Sequence, residues 1–122
     1  MEHREAAFVN LAVGDIFHAE SPNGASLLCL VTSLTDASIQ ARTVTTQICL
    51  QFDRRTGIAE WGNHSVPCTI DSIAPLPADI RDIVLGIDVK FRSEQKTERL
   101  RLSDAEKRAL IYVDSHYSSN QL

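Results

Sequence analysis

The sequence is poor in the residues that stabilise small domains covalently or through metal. Its three cysteines, Cys29, Cys49 and Cys68, are spaced too widely for a CxxC pair or a zinc-ribbon pattern. Because each stands in an apolar stretch, we interpret all three as reduced residues of the core. The length of 122 residues allows a core without disulfide bonds or metal, so we expect a single domain over 1–122.

Long apolar runs are absent as well. The first ten residues carry charges of both signs and no apolar segment, so we expect no secretory leader. No run reaches the length of a membrane span, and no lipidation signature is present. The composition therefore predicts a soluble, cytoplasmic protein of bacterial type that has no membrane partner.

Motifs that specify a reaction are missing too. There is no G-x-S-x-G elbow, no P-loop and no glycine-rich fingerprint. His64 and Cys68 are four residues apart, but no further ligand is near in sequence, which disfavours a metal site. The carboxylates at predicted turns and strand edges usually cap turns; they are Asp36, Asp53, Glu60 and Asp71. We expect no catalytic, cofactor or metal site, and a binding protein is favoured over an enzyme.

Short β-type segments with turn signals between them occupy 13–74. Apolar and polar residues alternate along most of these segments, and Ser21–Gly24 and Asp53–Gly57 are strong turn signals. The segments are Asp15–Glu20, Ser26–Leu34, Ser38–Val44, Gln47–Asp53, Ile58–Trp61 and Val66–Ala74. Five or six strands at this spacing predict an α+β protein built on a small antiparallel β-barrel, SH3-like or similar.

The remaining portion, 75–122, has helical patterns. Pro75–Pro77 ends the sheet, and apolar residues at helical spacing predict a helix over 77–92. Gly86 interrupts that pattern, so a β-hairpin over 87–102 is the competing interpretation. Ser103 and Glu106 form a capping box that predicts a last helix over 104–117. We expect Ser118–Leu122 to fray.

The favoured function is a non-enzymatic protein-binding or regulatory module of unknown pathway. Arg54 and Arg55 stand at a predicted hairpin tip, and Trp61 follows on the returning strand, where it would be an interaction anchor if exposed. The last helix is apolar almost all around at 109–113, which is compatible with a homodimer through the C-terminal helices. The partner is otherwise another, unidentified protein.

Nucleic-acid binding is the first alternative. The net charge of −4 lies wholly in 1–75, which holds 8 acidic and 4 basic residues, whereas 76–122 holds 8 of each. An acidic chain argues weakly against this alternative. Its basic candidates are Arg54, Arg55, Arg42, Lys90, Arg92, Lys96, Arg99 and Arg101. The second alternative is a small-ligand site or an enzyme, which a polar cavity near His18 or His64 would favour.

Overall fold

The computed structural model describes residues 8–22, 24–60, 67–93 and 102–121. Six strands come first, and two helices follow them. The strands are β1 (Ile16–Glu20), β2 (Ser26–Leu34), β3 (Ser38–Thr43), β4 (Cys49–Asp53), β5 (Ile58–Glu60) and β6 (Pro67–Ser72). The helices are α1 (Ala78–Ser93) and α2 (Asp104–Ser119). The predicted α+β order, a barrel of strands followed by two C-terminal helices, is confirmed.

The strands form one antiparallel sheet that closes almost into a barrel. Their order is β4-β3-β2-β1-β6-β5, and the two end strands are joined by the tight turn at Asp53–Gly57. The Gly57 amide donates to the Asp53 carbonyl at 2.8 Å, and Gly57 has a φ of 75°, which glycine adopts without a steric penalty. The Asp53 carboxylate caps this turn by accepting from the amides of Arg55 and Thr56. These amide hydrogen bonds hold the pKa of Asp53 below its ordinary value.

Alternation along the strands separates two apolar clusters. Phe17 and Ala19 of β1 point into the barrel, where Phe17 meets Phe52 edge to face at 5.3 Å between ring centroids. Ile16 points the other way, toward the helices, and packs with Val113. The outer cluster also contains Leu30, Val44, Val84, Ile87 and Tyr117. Because the outer face of β1 and β2 is covered by helices, both faces of these strands are buried.

The cysteines divide between the core and the surface. Cys29 and Cys68 lie buried inside the barrel with free thiols, as predicted, and burial raises the pKa of both thiols. The prediction is wrong for Cys49, which is exposed. Strand β4 places Leu50 and Phe52 inward, so Cys49, the residue before Leu50, points outward.

Helix α1 continues without a break through Gly86 to Ser93. The hairpin interpretation is therefore wrong for residues 87–93, and its remaining part, 94–101, lies outside the described residues. Val84 and Ile87 are fully buried against the outer face of the barrel. Burying each such side chain contributes about 1.5–3 kcal/mol, which exceeds the cost of about 1 kcal/mol for a glycine within a helix.

Helix α2 begins with the predicted capping box. The Ser103 hydroxyl accepts from the Glu106 amide at 3.1 Å, and the Glu106 carboxylate accepts from the Ser103 amide at 2.8 Å. The predicted fraying is wrong for Ser118 and Ser119, which remain helical, and for Asn120. The Asn120 carbonyl accepts from the Ser72 hydroxyl at 2.7 Å, which ties the end of α2 to β6. Among the residues that the structure describes, no helix is long and apolar enough to cross a membrane.

Candidate functional site

His18 is a nearly buried imidazole on the outer face of the barrel, with 8% of its surface exposed. Its Nδ1 lies 2.6 Å from the Asp71 Oδ1. A β-bulge creates this contact: Ser72 pairs with His18 and Ile70 pairs with Ala19, so Asp71 is an extra residue of β6. Bulges commonly re-aim a side chain next to a functional site. Here the bulge brings the Asp71 carboxylate to the imidazole of the neighbouring strand.

The contact with Asp71 determines which nitrogen of His18 is available. An ionised carboxylate only accepts hydrogen bonds, so Nδ1 carries the proton and donates it to Asp71. In the neutral ring, Nε2 is then an acceptor. Within the described part of the chain, the hydrogen bond of the His18 ring is this one, through Nδ1, and the ring also packs against Tyr117; Nε2 forms no hydrogen bond there.

Tyr117 of α2 supports the imidazole from the helix side. Its ring lies 5.5 Å from the His18 ring between centroids, at an angle of 32°. The Tyr117 hydroxyl donates to the carbonyl of Ile16 at 3.3 Å, and burial raises the pKa of that hydroxyl. The His18 ring is thus held from one side by a carboxylate and from another by a buried phenol. Such fixed orientation is what a binding or proton-transfer group requires.

A cavity of about 200 Å³ lies beside His18, between the barrel and α2. Strands β1 and β2 form one wall, the turn after β3 forms the rim, and α2 forms the opposite wall. The lining residues are His18, Ser26, Leu28, Thr45, Leu110, Val113 and Asp114. The cavity therefore combines an apolar floor with an imidazole, two hydroxyl groups and a carboxylate. A few convergent polar groups in a cleft that is otherwise apolar are typical of small-ligand sites.

A second polar cluster joins the barrel to α1. Asp88 of α1 is buried, and its carboxylate accepts from Arg42 Nε at 3.1 Å and from Arg42 Nη2 at 2.8 Å. Gln47 Nε2 donates to the same carboxylate at 2.9 Å. Burial acts to raise the pKa of Asp88, but the hydrogen bonds from Arg42 and Gln47 outweigh it and lower that pKa. Gln47 has a φ of 57°, a left-handed conformation that these hydrogen bonds help to hold.

Several predicted interaction residues are engaged within the chain. Arg42 binds Asp88, and Lys90 Nζ donates to the Glu106 carboxylate at 2.8 Å. Arg92 lies 3.9 Å from the Asp88 carboxylate. Arg54 donates to three backbone carbonyls, those of Phe8, Val9 and Thr35. These cations hold the fold together, which reduces what they can offer to a phosphate backbone.

The other predicted interaction residues are one exposed arginine and four residues that the structure leaves undescribed. Arg55 is exposed at the tip of the β4–β5 turn. Trp61, Lys96, Arg99 and Arg101 lie outside the described residues, as does His64. Within the described ranges, no group of three or more histidine, cysteine or acidic residues is placed to hold a metal ion.

Sequence reasoning missed the role of Asp71. We expected this carboxylate to cap a turn, as Asp53 does, but it binds His18 instead. A β-bulge is hard to recognise in a sequence, because one extra residue only shifts the alternation of inward and outward side chains by one position. The sequence shows a histidine in one predicted strand and an acid in another, but that these two strands are neighbours follows only from the strand order of the sheet.

Comparison with protein-family models, with curated proteins and with solved structures finds no match for this chain.

Proposed function

We propose that this protein is a non-enzymatic binding module that holds a small ligand in the cavity at His18. The observation that carries the proposal is a mostly buried imidazole that lines a cavity, with its Nδ1 fixed by Asp71 and with no hydrogen bond to Nε2 among the described residues. A ligand donor could form a hydrogen bond with Nε2, which no described residue of the protein satisfies. The adjoining cavity supplies the space for that donor. A polar cavity near His18 is the feature that we expected to separate a ligand-binding protein from the alternatives.

Binding is favoured over catalysis because, among the described residues, no hydroxyl or thiol is hydrogen-bonded to the imidazole. The thiols of Cys29 and Cys68 lie inside the barrel, on the other face of the sheet, and burial raises the pKa of both. The hydroxyls of Ser26 and Thr45 line the cavity, but they stand at exposed positions on its rim. A histidine oriented by a carboxylate is as well suited to accept a hydrogen bond from a bound molecule as to transfer a proton in catalysis.

Nucleic-acid binding is the weaker alternative. Arg42 and Lys90 face carboxylates of their own chain, and Arg54 is used by backbone carbonyls. Phe17 and Phe52 are fully buried in the barrel, so they offer no platform for base stacking. These observations favour a ligand that enters the protein over one that lies along its surface.

The test is a fragment screen in which binding is detected by chemical-shift changes of backbone amide and imidazole NMR resonances. We expect fragments at millimolar concentration to shift the resonances of His18, Leu28 and Val113 together. Thr45→Trp, a change at an exposed rim residue, should fill the entrance and abolish those shifts, whereas Thr32→Trp on exposed β2 surface should leave them intact. A diverse library that shifts none of these resonances would contradict the proposed function.

Self-association through α2 is a second proposal, and one specific observation favours it. Ile111 is 70% exposed, and Tyr112 of the same helix and Val89 of α1 are also exposed. Large apolar side chains on a helix surface are typical of contact sites when they cluster. We propose a second copy of this chain as the partner. Light scattering that gives a dimer mass for the wild type and a monomer for Ile111→Glu, with Val13→Glu as control, would support it; a wild-type monomer at high concentration would refute it.

The compartment and the barrel class are two further proposals. Free thiols at Cys29, Cys49 and Cys68 suit a reducing compartment, and we propose the cytoplasm of a bacterium. We propose the SH3-like class for the barrel because its strands are short and its hairpins are tight.

A further inference from the structure

We propose that the ligand of the His18 cavity is a small organic cation, an ammonium group on a short apolar body. This inference rests on the proposed function and adds the charge and size of the ligand. In this inference the ammonium group donates a hydrogen bond to His18 Nε2, and Asp114 supplies the opposite charge. Both residues line the same cavity.

Hydrogen-bond capacity is the first support. Asp71 accepts a hydrogen bond from Nδ1–H, so in the neutral ring the other nitrogen, Nε2, is an acceptor. A carboxylate at Asp114 also only accepts. The two strongest polar groups of the cavity therefore both need a donor, and an ammonium group has three N–H donors and no acceptor.

Charge is the second support. The titratable groups that line the cavity are His18 and Asp114, and Asp71 lies behind His18. Of the described residues, no lysine or arginine lines the cavity. An anion would meet two carboxylates without a compensating cation, whereas a cation is attracted by both.

Shape is the third support. Leu28, Leu110 and Val113 provide an apolar surface along the cavity. The volume of about 200 Å³ is below the range of roughly 300–1,000 Å³ that drug-sized ligands occupy. A single ring or a short branched chain fills such a space, and a nucleotide or a peptide does not.

Three probes of one shape separate the charge of the ligand from its apolar body. Benzylamine is the cation, benzyl alcohol is the neutral analogue and benzoate is the anion. Dissociation constants come from NMR titration at pH 7.5, and binding at the cavity is identified by shifts of His18 and Val113. We expect benzylamine to bind about fivefold or more tightly than benzyl alcohol, from one partly screened ion pair, and benzoate to bind most weakly.

Variants then assign the counter-charge. Asp114→Asn should weaken benzylamine about fivefold and leave benzyl alcohol unchanged. Asp82→Asn, which neutralises an exposed carboxylate of α1 away from the cavity, is the matched control and should change neither. Thermal unfolding of both variants checks that the fold is kept.

The outcomes distinguish this inference from the proposed function. If benzoate or benzyl alcohol shifts His18 and Val113 at equal or lower concentration than benzylamine, the cation is refuted and the ligand cavity stands. Equal loss of both probes in Asp114→Asn also refutes the charge assignment. If none of the three probes shifts these residues while another fragment does, the inference falls alone; if no fragment does, both fall.

Discussion

Replacing Arg42 by alanine removes the guanidinium that holds Asp88 at the junction between the barrel and α1. Two charge-assisted hydrogen bonds are lost, at 3.1 and 2.8 Å. The carboxylate keeps the amide of Gln47 at 2.9 Å and lies 3.9 Å from Arg92. Since the Asp88 side chain is only 3% exposed, water cannot fully replace the missing donors. The variant therefore leaves a buried carboxylate that is only partly compensated.

The magnitude follows from this geometry. Breaking a buried ion pair by removing one partner typically costs about 3–5 kcal/mol. The Arg42 side chain is 19% exposed, so some water reaches the pair, and Gln47 remains. We expect Arg42→Ala to lower the free energy of unfolding by about 3 kcal/mol, the lower end of that range. The double variant Arg42→Met/Asp88→Leu should be less destabilised than the single one, because it buries no uncompensated charge.

The pH dependence supplies a second measurement of the same pair. The pKa of Asp88 is lowered in the folded protein, so its contribution to stability is complete above the unfolded pKa of about 3.9 and is lost as pH falls through the folded value. In Arg42→Ala the part of this lowering that Arg42 supplies is removed, so the difference in stability between wild type and variant should shrink from pH 7 to pH 3.

Urea unfolding at several pH values, followed by circular dichroism, measures both effects. Arg55→Ala, an exposed arginine at a turn, is the matched control and should change the free energy of unfolding by less than about 0.5 kcal/mol. A loss below about 1 kcal/mol in Arg42→Ala, or a difference that is the same at pH 7 and pH 3, would refute the buried-pair reasoning.

Three further predictions concern the cap, the thiols and the basic turn. Ser103→Ala should cost about 1 kcal/mol in urea unfolding, because the capping box loses its hydroxyl; no measurable loss would show that the box is redundant. Under native conditions, a thiol reagent should modify Cys49 rapidly and Cys29 and Cys68 only on unfolding, as mass spectrometry of digested protein would report; equal labelling would contradict the burial of the last two. A gel shift at low salt should detect no nucleic-acid complex, and a complex that weakens with salt and is lost in Arg55→Ala would revive that alternative.

Arg55 is the suitable residue for the nucleic-acid test because its neighbour has a structural role. Arg54 donates to the carbonyls of Phe8, Val9 and Thr35. Its removal would loosen the contact between the N-terminal segment and the barrel, so a lost complex in Arg54→Ala would not report on binding. The pair looked equivalent in the sequence, and tertiary contacts separate the two residues.

Features that depend on near neighbours were predicted well. The strand segments were predicted from alternation and turn signals, because a strand sends successive side chains to opposite faces. The capping box of Ser103 and Glu106 was predicted from spacing alone, because its hydrogen bonds join residues three apart. Cys49 was misplaced by composition, although the alternation of its own strand already pointed it outward.

What the sequence by itself determined is the set of strands, the last helix and their approximate bounds, since these follow from local period, turn chemistry and capping. Only the tertiary structure decided the candidate site. His18 and Asp71 are 53 positions apart, and Arg42 and Asp88 are 46 apart. Such pairs depend on strand order, on a one-residue bulge and on where α1 and α2 pack. No local pattern encodes these features, because they result from the closure of the barrel and the packing of helices on its outer face.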